Sequence, residues 1–245
     1  MERIKITFAY DGTYFSGYQV QLEKRTVQLV IEKALAKMHG EEVRIYSSGR
    51  TDAGVHAYGQ VIHFNSPLSL DRNAWHRALE TLLPNDIQIQ RVEKVDDNFH
   101  ARKSAKGKTY RYIVLNDHEY DLFQRLYEWH VKKPLNVEKI QEAAQLLVGR
   151  HDFTAFSASK SNVKGDKTRT IYSLDVWQEG KRVIFQVRGD GFLTHMVRII
   201  VGTLVEIGLG KRNSSCIKDG LETFNRQVVG MTAPGHGLCL WEVNY

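Results

Sequence analysis

Ser47-Ser48-Gly49-Arg50-Thr51-Asp52-Ala53-Gly54-Val55-His56-Ala57 sets one carboxylate between two glycines, with an arginine two residues ahead of it. Val43-Arg44-Ile45-Tyr46 precedes it with alternate residues apolar, and Gln60-Val61-Ile62-His63-Phe64 follows as a second strand pattern. Asp52 therefore lies on a tight connection between two strands. Gly54 admits a backbone angle forbidden to other residues, or the close approach of a ligand. A loop clamped between strands is a firm mount for one reactive side chain. Local spacing alone fits an Asx turn better, with Asp52 capping its own loop and Arg50 solvated. What shifts that balance lies elsewhere in the chain.

Upstream, Ile4, Ile6, Phe8 and Tyr10 share one face of a half-buried strand, broken by Asp11-Gly12-Thr13. Tyr14, Phe15 and Tyr18 then cluster on a loop, where aromatic rings plug a core edge or stack on bases. Thr26 is placed to cap a helix whose apolar residues run from Val27 to Met38, with Gly40 as its stop. Downstream, Asp71 to Leu83 reads as a second helix stopped by Pro84, and Ile87 to Val92 as a strand. The first half is thus strand, helix, strand, strand, helix, strand. A basic stretch, His100 through Lys108, leads into Thr109-Tyr110-Arg111-Tyr112-Ile113-Val114, a strand with Tyr110 and Tyr112 opposite Arg111. The boundary is placed here, giving lobes at 1–103 and 104–245. Asn136 to Val148 is a third helix. Ser157 to Lys167 is a polar loop expected to be mobile, and Thr170 to Arg188 is a hairpin turning at Glu179-Gly180.

The last helix begins beyond Thr194, a candidate cap, and runs Met196-Val197-Arg198-Ile199-Ile200-Val201-Gly202-Thr203-Leu204-Val205. Arg198 is the one formal charge in that run. A helix apolar all round is a buried helix, and a buried guanidinium needs an anion unless it snorkels to water.

The 245 residues carry a net charge of +6, with 42% hydrophobic and 25% charged residues, which suits a globular chain and favours a polyanionic partner. Two cysteines, Cys216 and Cys239, form no Cys-x-x-Cys, which excludes a thiolate cluster and points to a reducing compartment. No apolar run reaches membrane-spanning length and the amino terminus has no signal core, so the expected location is the cytoplasm. Phosphate-loop, dinucleotide and Gly-x-Ser-x-Gly motifs are absent. His56 and His63 could meet across a hairpin, but no third ligand presents itself. His195, beside Arg198, could carry a proton, but a helix-start packing residue is the better reading. What remains is one carboxylate, one candidate buried arginine, one strand tyrosine and a basic surface, an inventory suited to nucleophilic or general-base work at an electrophilic carbon.

Four ordered motifs then resemble those of the TruA-type tRNA pseudouridine synthases. They are Tyr10-Asp11-Gly12-Thr13-x-Phe15-x-Gly17-x-Gln19, the Asp52 stretch from Ser48 to Ala57, Phe99-His100-Ala101-Arg102 with Lys108-x-Tyr110-x-Tyr112, and Phe192-Leu193-x-His195-Met196-Val197-Arg198 with Gly202. The similarity runs from about Ile4 to Trp241; Tyr18 departs from it, standing where tryptophan is expected. The resemblance implies an α+β fold of two α/β lobes, sharing a mixed, mainly antiparallel sheet, with a central cleft. It implies an isomerase that turns uridine into pseudouridine at positions 38, 39 and 40 of the tRNA anticodon stem-loop, working as a homodimer without cofactor or metal. Asp52 would be the essential carboxylate, attacking the sugar, attacking the base, or removing a sugar proton. Tyr110 would pack on the target uracil, Arg198 would pair with Asp52, and Arg50 would fill the stack once the base is flipped out. A non-catalytic RNA-binding protein and a metal-dependent nuclease are the competing classes. Turnover in excess EDTA with intact RNA recovered separates all three.

Overall fold

The computed structural model describes residues 1–158 and 165–245. In chain order the elements are β1 (Glu2–Tyr10), α1 (Val27–His39), β2 (Tyr46–Ser47), β3 (His56–Ser66), α2 (Arg72–Leu82), β4 (Ile87–Val95) and β5 (Gly107–Leu115). Then follow β6 (Trp129–His130), α3 (Val137–Gln145), β7 (Gly149–Asp152), β8 (Thr168–Glu179), β9 (Arg182–Gly189), α4 (Met196–Gly208), α5 (Ser215–Thr223) and β10 (Leu238–Asn244). The chain forms two compact units: Met1–Lys106 with Cys239–Tyr245, and Gly107–Leu238. The expected lobes were 1–103 and 104–245; the last strand instead returns to the first unit. The architecture is mixed α/β with mainly antiparallel strands.

In the first unit the strands lie in the order β4-β1-β3-β10, with β2 paired to β3. β1 is antiparallel to both neighbours, matching Ile6 to Ile62 and Ile4 to Phe64, so the alternation read in β1 becomes one apolar face. β10 is parallel to β3, with Cys239 opposite His56. β3 is buried on both faces from Gly59 to Phe64. Helix α1 buries Val27, Ile31, Ala34 and Leu35, and Gly40 ends it at φ 73°, its N–H bonded to Ala36 O. Thr26 does stand at the start of α1, but its hydroxyl makes no capping bond and is buried without a partner among the described residues. Asp71 does cap α2, accepting from Ala74 N at 2.7 Å.

The second unit orders its strands β5-β9-β8-β7, all antiparallel, with β6 parallel beside β5. The hairpin turns at Gly180, φ 58°. Asn136 caps α3 through Lys139 N at 2.9 Å. Eleven of the thirteen residues of α4 are buried, and Arg198 and Glu206 are the two that are half-exposed. His195, held left-handed at φ 64°, occupies the cap position expected for Thr194. Residues 159–164 of the expected polar loop lie outside the described residues. His56 and His63 sit seven residues apart on the single strand β3, which removes the hairpin meeting considered for them. No helix is long and apolar enough to cross a membrane.

Candidate active site

The Asp52 loop joins β2 to β3 and is fastened from two sides. Its own strand holds the entry: Ser48 N donates to Val61 O at 2.8 Å, Ser48 Oγ to Gln60 Oε1 at 2.7 Å, and Gln60 Nε2 to Gly49 O at 3.1 Å. Ser48 and Gln60 are both fully buried, so these bonds are shielded from water and costly to leave unmade. The end of β1 and the loop after it hold the rest. Tyr10 Oη lies 2.7 Å from Thr51 Oγ1, Tyr18 N donates to Thr51 O at 3.1 Å, and Gly12 N donates to His56 Nδ1 at 3.0 Å. Burial pushes the Tyr10 phenol far up from its ordinary value, so it stays a neutral hydrogen-bonding group.

Two glycines make this contact possible. A Cβ on Gly12 would overlap the Val55 carbonyl, and one on Gly17 (φ 96°) would lie 3.1 Å from Thr51 O. The glycines of the amino-terminal motif thus let one backbone lie directly on another, either side of Asp52. Gly54 differs: nothing crowds it, but its φ of 73° is left-handed. Within the loop Val55 N donates to Asp52 O at 3.2 Å. The Asp52 side chain is half-buried, and Arg50, two residues back, is exposed with no ion pair among the described residues.

In the second unit Tyr110 and Tyr112 share the buried face of β5, as their phase requires, and Arg111 turns away to donate from Nε to Gln186 Oε1 at 2.7 Å. Tyr110 is 8% exposed and its ring meets Phe192 edge to face at 5.2 Å. Arg198 stands in the first turn of α4 and donates from Nε to Ala233 O at 2.8 Å; Ala233 N returns a bond to Arg198 O at 3.0 Å. That pair fixes the plane of the guanidinium. A main-chain carbonyl among its partners was not foreseen in the sequence. Tyr112 donates to Pro234 O at 2.8 Å, and burial raises its phenol pKa while the Arg198 charge pulls it down. A Cβ on Gly202 would overlap the Met231 carbonyl, and one on Gly237 would stand 2.6 Å from the Tyr112 ring. The 230–237 segment is thereby pressed on α4 and β5.

Arg50 and Asp52 therefore share one loop of the first unit, and Tyr110 and Arg198 belong to the second. Tyr10, Thr51, Ser48 and Gln60 are the supporting residues that sequence reasoning missed; Tyr10, Ser48 and Thr51 lie within the quoted motifs and Gln60 beyond them, and nothing in the spacing said which atoms would meet. The main chain on either side of Asp52 is thus held at several points, the kind of mount that nucleophilic or general-base chemistry requires.

The family model described as tRNA pseudouridine synthase matches residues 6–102 and 143–245. The tRNA pseudouridine synthase A of Oceanobacillus iheyensis is 53% identical over 246 residues, spanning 100% of this chain and 97% of that protein. Those of Anoxybacillus flavithermus and Bacillus subtilis are 52% and 51% identical, each over 99% of its length, spanning 100% and 99% of this chain. The chain belongs to the tRNA pseudouridine synthase family, and it is an isomerase. Arg50, Asp52 and Arg198 fall inside the matched segments; Tyr110 falls between them.

Proposed function

We propose that this protein isomerises uridine to pseudouridine at positions 38, 39 and 40 of the tRNA anticodon stem-loop, with Asp52 as the essential carboxylate. The observation that carries the reading is the fastening of the Asp52 loop. Two glycines and a set of buried hydrogen bonds are spent on holding one half-buried acid. The reaction breaks the bond from the sugar to the base nitrogen, turns the uracil and rejoins it through carbon; the carbon that rejoins gives up its proton and the freed nitrogen gains one. Asp52 supplies the group that attacks or takes a proton. Tyr110 lies on the uracil, Arg198 supplies the counter-charge that keeps Asp52 ionised, and Arg50 enters the stack vacated by the flipped base. The reading requires neither metal nor cofactor, and it places the enzyme in the cytoplasm as a homodimer on tRNA.

Mapping pseudouridine in tRNA from a strain lacking this protein tests the positions. Loss at 38, 39 and 40, restored by the gene, supports the reading; unchanged tRNA refutes it. Turnover by the purified protein in excess EDTA, with intact RNA recovered, is expected.

A further inference from the structure

Residues 96–106, between β4 and β5, carry the Phe99-His100-Ala101-Arg102 motif, which the reading above leaves without a role. The segment has no regular structure, yet its backbone is tied throughout. Arg3 donates to Phe99 O at 3.1 Å, and Ala101, fully buried, donates to His63 Nδ1 at 3.1 Å and accepts from Tyr245 Oη at 2.7 Å. Beyond it, Arg102 N and Lys103 N both donate to His100 Nδ1, at 3.1 and 3.3 Å, and Lys106 N donates to Asn244 O at 2.8 Å. A coil held this way presents Arg102 and Lys103 to solvent from a rigid base.

Against that base lies a ladder of rings. His63 stacks on Tyr46 at 5.1 Å and 24°, and His100 sits 4.7 Å from His63 and 5.8 Å from Tyr46. Burial, then the neighbouring charges of His100 and Arg3, push the His63 pKa down to about 4, so the middle ring of the ladder is uncharged at neutral pH. Tyr46 is 43% exposed, and the Arg44 guanidinium stands 5.5 Å from its ring. Arg44, Arg102 and Lys103 are exposed and have no carboxylate partner among the described residues; Glu42, Asp96 and Asp97, the acids nearest in sequence, reach none of them. Tyr46 opens β2, four residues before Arg50 and six before Asp52, so the patch is joined to the candidate active loop by one short tether.

We propose that Tyr46, backed by His63 and His100 and flanked by Arg44, Arg102 and Lys103, is a second RNA contact. It stacks one base and neutralises adjoining phosphates of the tRNA beyond the uridine being isomerised. The proposal rests on tRNA being the substrate. Ring faces beside unpaired cations bind RNA strands in this manner, because every base offers a π-face and every linkage a charge. A protein partner for the same patch would want the cations neutralised by acids and the ring in a closed apolar rim, and the surroundings of Tyr46 are instead basic and open.

The test uses the full-length protein and an unmodified tRNA transcript. Dissociation constants are measured across a salt series, with the single-turnover rate at saturating tRNA. Tyr46→Ala is expected to raise the dissociation constant about tenfold, the loss of one stacked base, and to change the saturated rate far less. Tyr46→Phe, which keeps the ring, should bind nearly as wild type. Arg44→Gln and Arg102→Gln, both exposed and safe for folding, should each lower the salt slope by about one. Wild-type affinity and slope in all four variants would overturn the proposal while leaving the isomerase reading intact, since wild-type turnover is scored separately. A changed oligomeric state with unchanged tRNA affinity would assign the patch to a protein contact and overturn it too. A wild-type protein that forms no pseudouridine in tRNA would remove both.

Discussion

Two glycine contacts, one in each unit, use the same device for different ends. At Gly12 the absent side chain lets the loop after β1 lie on the Val55 carbonyl, and at Gly202 it lets α4 lie on the Met231 carbonyl. Around Gly12 the neighbours are polar and bonded: Tyr10 to Thr51, Gly12 to His56, Ser48 to Gln60. Around Gly202 the bonds tie a separate segment to a buried helix: Arg198 Nε to Ala233 O, Ala233 N to Arg198 O, Gly230 N to Thr203 Oγ1. The first contact sets the course of an exposed-tipped loop, and the second seats a segment on a helix that is itself mostly buried. A backbone shift at the first moves Asp52; a shift at the second loosens packing behind Arg198.

The largest contrast should come from adding one methyl at each place. Gly12→Ala must displace the loop, and a misplacement of this kind costs about a hundredfold in rate. Gly202→Ala overpacks a core and should lower stability by about 1–3 kcal/mol. Chemical denaturation and single-turnover kinetics on both variants check this. If the two show the same balance of lost rate and lost stability, the distinction between the contacts fails.

These contacts also mark where the sequence stopped being legible. The alternation of β1, the caps Asp71 and Asn136 and the stop at Gly40 were readable because each depends on residues within a turn of one another. The four motifs supplied the candidate residues of the site. Tyr10 and Thr51 are 41 residues apart, Gly12 and Val55 are 43, and no local pattern pairs them. The same reason hid β10, whose partner β3 lies far back in the chain and runs parallel to it. Helix α5 was missed because Ser-Cys-Ile-Lys-Asp-Gly-Leu-Glu-Thr is largely polar and carries a glycine, Gly220, that is buried by packing on Val229 and Phe156. Thr26 had the right residue type for a cap, but its hydroxyl makes no capping bond, and the N–H groups of Val27 and Gln28 donate instead to Gly17 O and Tyr18 O.

Tyr110 sharpens the comparison from the second unit. Its ring is fixed edge-on by Phe192, so Tyr110→Phe should bind the uracil as well as wild type does, whereas Tyr110→Leu should lose about 1–3 kcal/mol of stacking. If phenylalanine instead stalls after the base is detached or rejoined, the hydroxyl moves a proton. If both variants turn over normally and only melt earlier, Tyr110 is a packing residue.

A smaller effect is expected at Tyr10→Phe. It removes one buried hydroxyl and strands Thr51 Oγ1, at a cost of about 1 kcal/mol. Adding Thr51→Val should recover part of that stability, since neither partner is then left unpaired. A fully additive pair of losses would show that the 2.7 Å contact carries no coupling.

Asp52→Asn asks the central question with the least disturbance, because the amide keeps the shape of the acid and the loop bonds run through backbone and neighbouring side chains. With enzyme in excess over tRNA, the account predicts that pseudouridine formation falls by at least about a hundredfold, the low end of what one positioned acid or base contributes, while tRNA is still bound. Substantial single-turnover formation of pseudouridine by the purified variant would contradict it.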